Sequence, residues 1–343
     1  MDPTEWLPTE LMLMILAHYA LARVGAKVCR RWRGLCRGLH DGRTSVLPLW
    51  AMYNSEVKTA AQWKGHTDGI QGMAIGHNNK LYSASRDCTI RVWSMEDGRC
   101  LRHLTGHTNW VNGLAIGPDG TVYSASGDKT VRVWSGVDGS HFETFAGHTL
   151  QVTCVVVDRN NFVFSGSADK TIKVWRRGSA TCSITLHGHT DDVFVLALSP
   201  DHEKLYSGSL DTTIRVWSVP AGIHLRTLEG HTEHVYSLVV GVGGTVFSGS
   251  RDETIRMWRG SDGKLLNTKN HHKNSVLSLA LGPHDTVVSG SGGQDRTVAL
   301  WCGHTGDHLG TLRHLPKFVD ALVVGPEGVV YTGGRDDKTI TVW

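Results

Sequence analysis

Short runs of β-branched and aromatic residues, separated by turn residues, dominate the chain after residue 55. Between His107 and Phe145 the runs VNGLAI, TVYSAS, TVRVW and HFETF follow one another, interrupted by Pro118-Asp119-Gly120 and Asp138-Gly139. Apolar runs of this length, broken by Gly, Pro and Asp, are typical of short antiparallel strands. The pattern predicts an all-β structure with four short strands in each unit of the sequence.

The same unit recurs seven times. A pair made of Val, Met or Leu followed by Trp recurs with Trp at 93, 134, 175, 217, 258, 301 and 343, at spacings of 41, 41, 42, 41, 43 and 42 residues. A Gly-His pair opens five of the units, while His271 and Arg313 replace the glycine in the last two. Repeats of 40–45 residues with four strands are typical of propeller blades.

Four short strands cannot bury both of their faces alone, so neighbouring sheets must stack, and a closed ring leaves only short edges exposed. We therefore expect a seven-bladed β-propeller over residues 55–343. Trp343 lies in the third strand of the seventh unit. The segment Glu56–Trp63 stands where every other unit has its fourth strand, and we expect it to close the ring.

The pattern G-H … S-x-S-x-D-x-T-[IV]-x-[VM]-W resembles the WD-repeat family. That resemblance implies a hydrogen-bonded tetrad of His, Ser or Thr, Asp and Trp in each blade. The predicted tetrads are His66, Ser83, Asp87, Trp93; His107, Ser124, Asp128, Trp134; His148, Ser165, Asp169, Trp175; His189, Ser207, Asp211, Trp217; His231, Ser248, Asp252, Trp258; His272, Ser289, Asp295, Trp301; and His314, Thr332, Asp337, Trp343.

Composition and charge reduce the number of partner classes that the chain could bind. Residues 1–54 carry the whole net charge of +3, so the repeats are neutral overall and lack the basic surface that nucleic-acid binding needs. The seven cysteines form no C-x-x-C pair, which favours a reducing compartment, cytoplasm or nucleus. No apolar run approaches the length of a membrane span. We expect neither nucleic acid nor membrane as a partner.

No catalytic motif is present in the sequence. His, Ser and Asp recur together, but seven copies in one chain indicate a structural role, since a nucleophile needs exposure and an oxyanion hole. The chain has no G-x-S-x-G elbow, no phosphate-binding loop and no H-E-x-x-H motif. We expect a protein that is not an enzyme and that uses no metal or other cofactor.

The first fifty residues have a different pattern. Leu11, Ile15 and Leu16 give an apolar stripe with helical spacing, and 20–35 is a second candidate helix. The segment is similar to an F-box, the helical module that docks substrate receptors onto the adaptor of SCF ubiquitin ligases, although the turn near Tyr19–Ala22 is short. The matching positions are Leu7, Pro8, Glu10, Leu11, Ile15, Leu16, Val28, Cys29, Trp32, Leu35, Leu49 and Trp50.

Two functions are compatible with this order of modules. The resemblance to an F-box in residues 1–54 implies a substrate-recognition subunit of an SCF-type ubiquitin ligase, whose propeller binds the target. The alternative is a WD-repeat scaffold for signalling complexes with no link to ubiquitin, in which the helices form a hairpin packed on the propeller. Binding to the SCF adaptor distinguishes the two.

The loops that join the fourth strand of one blade to the next blade, and the second strand to the third, form the top face. Candidate partner-binding residues there are Arg86, Trp110, Phe194, Tyr236, Arg251 and Phe318. Two arginines four blades apart are few for a phosphorylated target, because a phosphate is best held by several convergent arginines. Aromatic side chains with acidic neighbours suit an unphosphorylated peptide, and scattered surface aromatics are the alternative.

Overall fold

The computed structural model describes residues 61–77, 79–312 and 318–343. The predicted helical module and residues 55–60 lie outside these ranges. Within them every regular element is a β-strand, and the strands form seven four-stranded antiparallel sheets. The seven sheets are the blades of an all-β propeller, as the repeat predicts.

The first three blades are formed by consecutive strands. Blade one contains β2 (Ile70–Gly76), β3 (Lys80–Ser85), β4 (Ile90–Ser94) and β5 (Cys100–Leu104). Blade two contains β6 (Val111–Ile116), β7 (Val122–Ser126), β8 (Thr130–Trp134) and β9 (His141–Ala146). Blade three contains β10 (Val152–Val157), β11 (Phe162–Ser167), β12 (Ile172–Arg176) and β13 (Ser179–Leu186).

The next three blades repeat this order. Blade four contains β14 (Val193–Leu198), β15 (Lys204–Ser209), β16 (Ile214–Ser218) and β17 (His224–Leu228). Blade five contains β18 (Val235–Val240), β19 (Thr245–Ser250), β20 (Ile255–Arg259) and β21 (Leu265–Lys269). Blade six contains β22 (Val276–Gly282), β23 (Thr286–Ser291), β24 (Val298–Cys302) and β25 (His308–Leu312).

Blade seven combines strands from opposite ends of the repeats. Its inner strands are β26 (Ala321–Val324), β27 (Val330–Gly334) and β28 (Asp337–Val342), and its outer strand is β1 (Ala61–Lys64). Trp63 pairs with Ile340 in the antiparallel register between β1 and β28. The described part of the predicted closing segment therefore supplies the fourth strand of the last blade.

The hydrophobic core lies between the blades. Each of the seven buried clusters combines residues from two neighbouring blades, including one shared by blades seven and one. The second strand of a blade is covered on both faces, so β7 is buried along its whole length, whereas the outer strand β5 alternates between exposed and covered positions. Burial between sheets is the main stabilising contribution of this architecture.

Candidate functional site

The tetrad of blade two shows how the repeat motif is used. His107 Nδ1 lies 2.6 Å from Asp128 Oδ2, and His107 Nε2 lies 2.7 Å from Ser124 Oγ. The indole nitrogen of Trp134 donates to the same Ser124 Oγ at 2.8 Å. The four side chains therefore connect the loop before β6, the strands β7 and β8, and the turn between those strands.

The donors of this network all point toward the carboxylate. Because the indole N–H can only donate, the Ser124 hydroxyl accepts from Trp134 and is left to donate to His107 Nε2. An imidazole that accepts at Nε2 carries its proton on Nδ1 and donates it to Asp128. The polar atoms that link the four side chains thus all have partners, and such a network specifies one packing of the blade.

The carboxylate of Asp128 is held by further donors. Its Oδ2 also accepts from the Thr108 amide, and its Oδ1 accepts from the amide and the hydroxyl of Thr130. Burial by itself raises the pKa of the Asp128 carboxyl, but the hydrogen bonds from His107 and Thr130 outweigh burial and hold that pKa well below its ordinary value. The group stays ionised in the folded protein at neutral pH.

Six blades contain the complete network. The His–Asp distances lie between 2.6 and 2.9 Å in the tetrads headed by His66, His107, His148, His189, His231 and His272. In blade seven, Thr332 replaces the serine and accepts from Trp343 Nε1 at 2.8 Å, while Asp337 accepts from Thr339. His314 lies outside the described residues.

The serines of these tetrads are inaccessible to any substrate. Ser124 and its equivalents on the second strands of blades one to six are fully buried, and each hydroxyl is already occupied by an indole and an imidazole. The tetrads therefore stabilise packing. Among the described residues, no group of three or more His, Cys, Asp or Glu side chains could hold a metal ion. The described segments also contain no helix that could span a membrane.

The glycine of the Gly-His pair has a packing role that the sequence motif alone does not reveal. Arg132 Nη1 lies 2.6 Å from the position of a Cβ added to Gly106, and Arg215 and Arg256 approach Gly188 and Gly230 in the same way. In blade six the arginine is replaced by Ala299. His271 then stands in place of the glycine and contacts the Trp301 ring, with centroids 5.4 Å apart. The glycine is thus covered by an arginine in four blades, whereas the Trp175 ring is the nearest group to Gly147.

Two predicted top-face residues form a pair between blades one and two. The guanidinium of Arg86 lies over the Trp110 indole, 4.6 Å from the ring centroid. The Arg86 Nε atom is buried and has no hydrogen-bond partner in the described structure. Trp110 remains 44% exposed, so part of its surface is accessible to a ligand. A stacked cation is worth about 0.5–1 kcal/mol at an exposed site.

Phe194 and Tyr236 form a second pair, between blades four and five. Their ring centroids are 5.1 Å apart in a T-shaped arrangement. His234 joins them, with its ring 5.9 Å from that of Tyr236 and its Nδ1 3.4 Å from the Tyr236 hydroxyl. Phe194 is 37% exposed. We call His234, Phe194 and Tyr236 the aromatic cluster.

The other two predicted positions, Phe318 and Arg251, make different contacts. Phe318 lies beneath the guanidinium of Arg296, which is 5.7 Å from the ring centroid, in the same blade-to-blade arrangement as Arg86 and Trp110. Arg251 is exposed, and its amide donates to the His234 carbonyl. The structure thus brings Arg86 together with Trp110 and Phe194 together with Tyr236, and it places Arg251 beside His234.

A third arginine was missed by sequence reasoning. Arg335 follows Thr332 by three residues, as Arg86 follows Ser83, so it is the blade-seven equivalent of Arg86, and Asp336 is an extra residue in the turn. Arg335 Nη2 lies 2.7 Å from Asp320 Oδ1. Burial alone lowers the pKa of Arg335, but the hydrogen bond and charge of Asp320 outweigh it and raise that pKa. Taking the third residue after the tetrad serine or threonine, instead of the residue before the aspartate, would have identified Arg335.

Similarity to known proteins agrees with this geometry. The family model described as "WD domain, G-beta repeat" matches residues 57–94, 98–135, 139–176, 180–218, 222–259 and 263–302. The chain belongs to the WD-repeat family. The structure adds a seventh blade, in which β26, β27 and β28 follow the last matched residue and β1 comes from the first matched range. WD-repeat propellers differ in function, so the family alone does not assign one.

Two curated relatives share short stretches with this WD-repeat protein. Both are named "Probable E3 ubiquitin ligase complex SCF subunit sconB". The protein from Talaromyces stipitatus is 36% identical over 73 residues, which cover 18% of this chain and 11% of the relative. The protein from Aspergillus clavatus is 38% identical over 48 residues, covering 14% and 7%. The chain thus spans about a tenth or less of the length of these relatives.

Proposed function

We propose that this protein is a substrate-recognition subunit of an SCF-type E3 ubiquitin ligase. The observation that carries the proposal is the presence, in one chain, of an F-box-like sequence at residues 1–54 and a WD-repeat propeller. Two relatives whose names place them in an SCF complex support it. In this proposal the F-box-like residues dock the adaptor, and the top face of the propeller binds the target.

Such a subunit performs no chemistry of its own. It holds a target beside a ubiquitin-loaded partner, so its contribution to the rate is proximity and orientation. The seven interlocked blades suit this role, because buried cores at all seven junctions give a rigid platform for surface loops. The adaptor-binding residues in the proposal are Leu7, Pro8, Leu11, Ile15, Leu16, Val28, Trp32 and Trp50, all outside the described ranges.

Binding to the purified SCF adaptor tests the proposal. We expect the full chain to capture the adaptor, and the double variant Leu11→Asp with Ile15→Asp to lose capture, since charges on the apolar stripe prevent its burial. Ala17→Asp is the matched control, because the helical period places residue 17 on the opposite side. Thermal unfolding of the propeller should be the same for all three proteins.

Two results would refute the assignment. Failure of the wild-type chain to bind the adaptor leaves the scaffold for signalling complexes as the better function. Unchanged binding by the double variant would show that the adaptor is held by other residues and that the F-box resemblance is misleading.

A further inference from the structure

The aromatic cluster combines one exposed ring with two nearby carboxylates that form no ion pair in the described structure. Phe194 is 37% exposed and meets Tyr236 in a T-shaped contact at 5.1 Å, so part of its ring is accessible to a ligand. Asp191 and Asp192 precede Phe194 in the same loop. In the described structure neither carboxylate forms an ion pair, whereas Asp320 on the same face is already paired with Arg335 at 2.7 Å.

The charges around Asp192 define its environment. Burial and the neighbouring Asp191 charge both raise the pKa of Asp192, while Lys170 and His234 lower it. The Lys170 ammonium donates to the Thr190 carbonyl at 2.7 Å instead of to a carboxylate. Two adjacent carboxylates that repel each other gain most from a ligand cation, because such a cation relieves the repulsion.

The chemistry of the site selects one class of ligand group. The face of an aromatic ring attracts a cation, and a nearby carboxylate adds direct charge attraction. We infer that the aromatic cluster, with Asp191 and Asp192, binds a lysine or arginine side chain of an unphosphorylated target segment. This inference rests on the proposed function, since it names the charge class of the target that the propeller recruits.

The arginines of the same face do not favour an anionic target. Arg335 forms an ion pair with Asp320, which neutralises its charge. Arg86 is stacked on Trp110 between blades one and two. Arg251 is exposed in the loop between the second and third strands of blade five, and one arginine is a weak site for a phosphate group.

Fluorescence anisotropy with two peptide pools tests the inference on the full chain. The pools are fluorescein-labelled twelve-residue peptides with random positions alternating with fixed ones. The fixed positions are lysine or arginine in one pool and glutamate in the other. We expect at least tenfold tighter binding of the basic pool. Asp192→Asn and Phe194→Ala should each weaken it about fivefold, the effect expected for a contact worth about 1 kcal/mol.

Asp68→Asn is the matched control for general electrostatic attraction. Asp68 is an exposed carboxylate at the position in blade one that corresponds to Asp191 in blade four. Its substitution should leave binding of the basic pool unchanged. Tighter binding of the glutamate pool, lack of binding by both pools, or equal losses for Asp68→Asn and Asp192→Asn would overturn the inference. Adaptor binding by the same protein is measured separately, so failure here does not count against the proposed function.

Discussion

Arg132 packs its guanidinium against Gly106, with Nη1 2.6 Å from the point that a Cβ on this glycine would occupy. Gly106 also has a positive φ of 146°. Gly106→Ala should therefore lower the free energy of unfolding by about 1–2 kcal/mol, since it displaces Arg132 and strains the backbone. Gly243→Ala is the control, because nothing lies within 4 Å of the added Cβ. Equal urea-unfolding midpoints for the two variants would contradict the packing argument.

Loss of a tetrad serine should destabilise the fold more than loss of the glycine does. Ser124→Ala removes the acceptor of the Trp134 indole and the donor to His107, and it leaves both buried groups without partners. We expect a loss of about 2–4 kcal/mol in urea unfolding, the cost of two unsatisfied buried polar groups. Ser124→Thr should recover most of it, because blade seven uses Thr332 at this position. Ser140→Ala, at an exposed turn, is the control; a similar loss there would be inconsistent with this account.

Acid should destabilise the ring through the tetrad carboxylates. Hydrogen bonds from the tetrad histidines, outweighing burial, lower the pKa of six aspartates, namely Asp87, Asp128, Asp169, Asp211, Asp252 and Asp295. Because the pKa is lower in the folded state than in the unfolded one, the stabilisation is complete above the ordinary aspartate value of about 3.9 and is lost as the pH falls below it.

Thermal unfolding between pH 7 and pH 2 measures this effect. The midpoint should fall steeply below about pH 4, and Asp128→Asn should show a shallower fall, since one of the linked groups is missing. Asp307→Asn removes an exposed carboxylate and should keep the wild-type slope. A midpoint that is the same at pH 3 and pH 7 would show that the carboxylates do not stabilise the folded state.

Much of the fold follows from the sequence because one motif is repeated. The Trp spacing gives the number of blades, and the residue types of the tetrad require the hydrogen bonds that Trp134, Ser124 and Asp128 make. Because the same residue types recur at the same spacing, each repeat supports the assignment of the tetrad residues in the other repeats. Four strands per blade and their antiparallel order then follow from the turn residues.

The surface is harder to predict because its contacts cross between blades. Arg86 and Trp110 lie 24 positions apart in different repeats, and no periodic signal connects them. Arg335 was missed because sequence reasoning places the top-face position at the residue before the tetrad aspartate. In blade seven the extra residue Asp336 occupies that position and moves Arg335 one place away from it. The assignment of the first 54 residues as an F-box-like module stays a prediction.

Closure of the ring by β1 is the structural claim on which the target-binding proposals depend. Trp63, in β1, stacks on Trp93 of blade one with ring centroids 6.0 Å apart, and it lies 5.4 Å from the Tyr331 ring of blade seven. Phe145 makes the equivalent stack on Trp175 between blades two and three. The Trp63 ring therefore packs blade seven against blade one in the same way that the Phe145 ring packs blade two against blade three.

Urea unfolding of the full chain carrying Trp63→Ala, followed by circular dichroism of the β-sheet signal, tests this claim most directly. Gln62→Ala, at an exposed neighbour in the same strand, is the control. If β1 closes the ring, removing the buried indole should cost about 3–5 kcal/mol and lower the midpoint of the whole transition. If the midpoint of Trp63→Ala equals that of Gln62→Ala, β1 is an appendage and the ring does not depend on it.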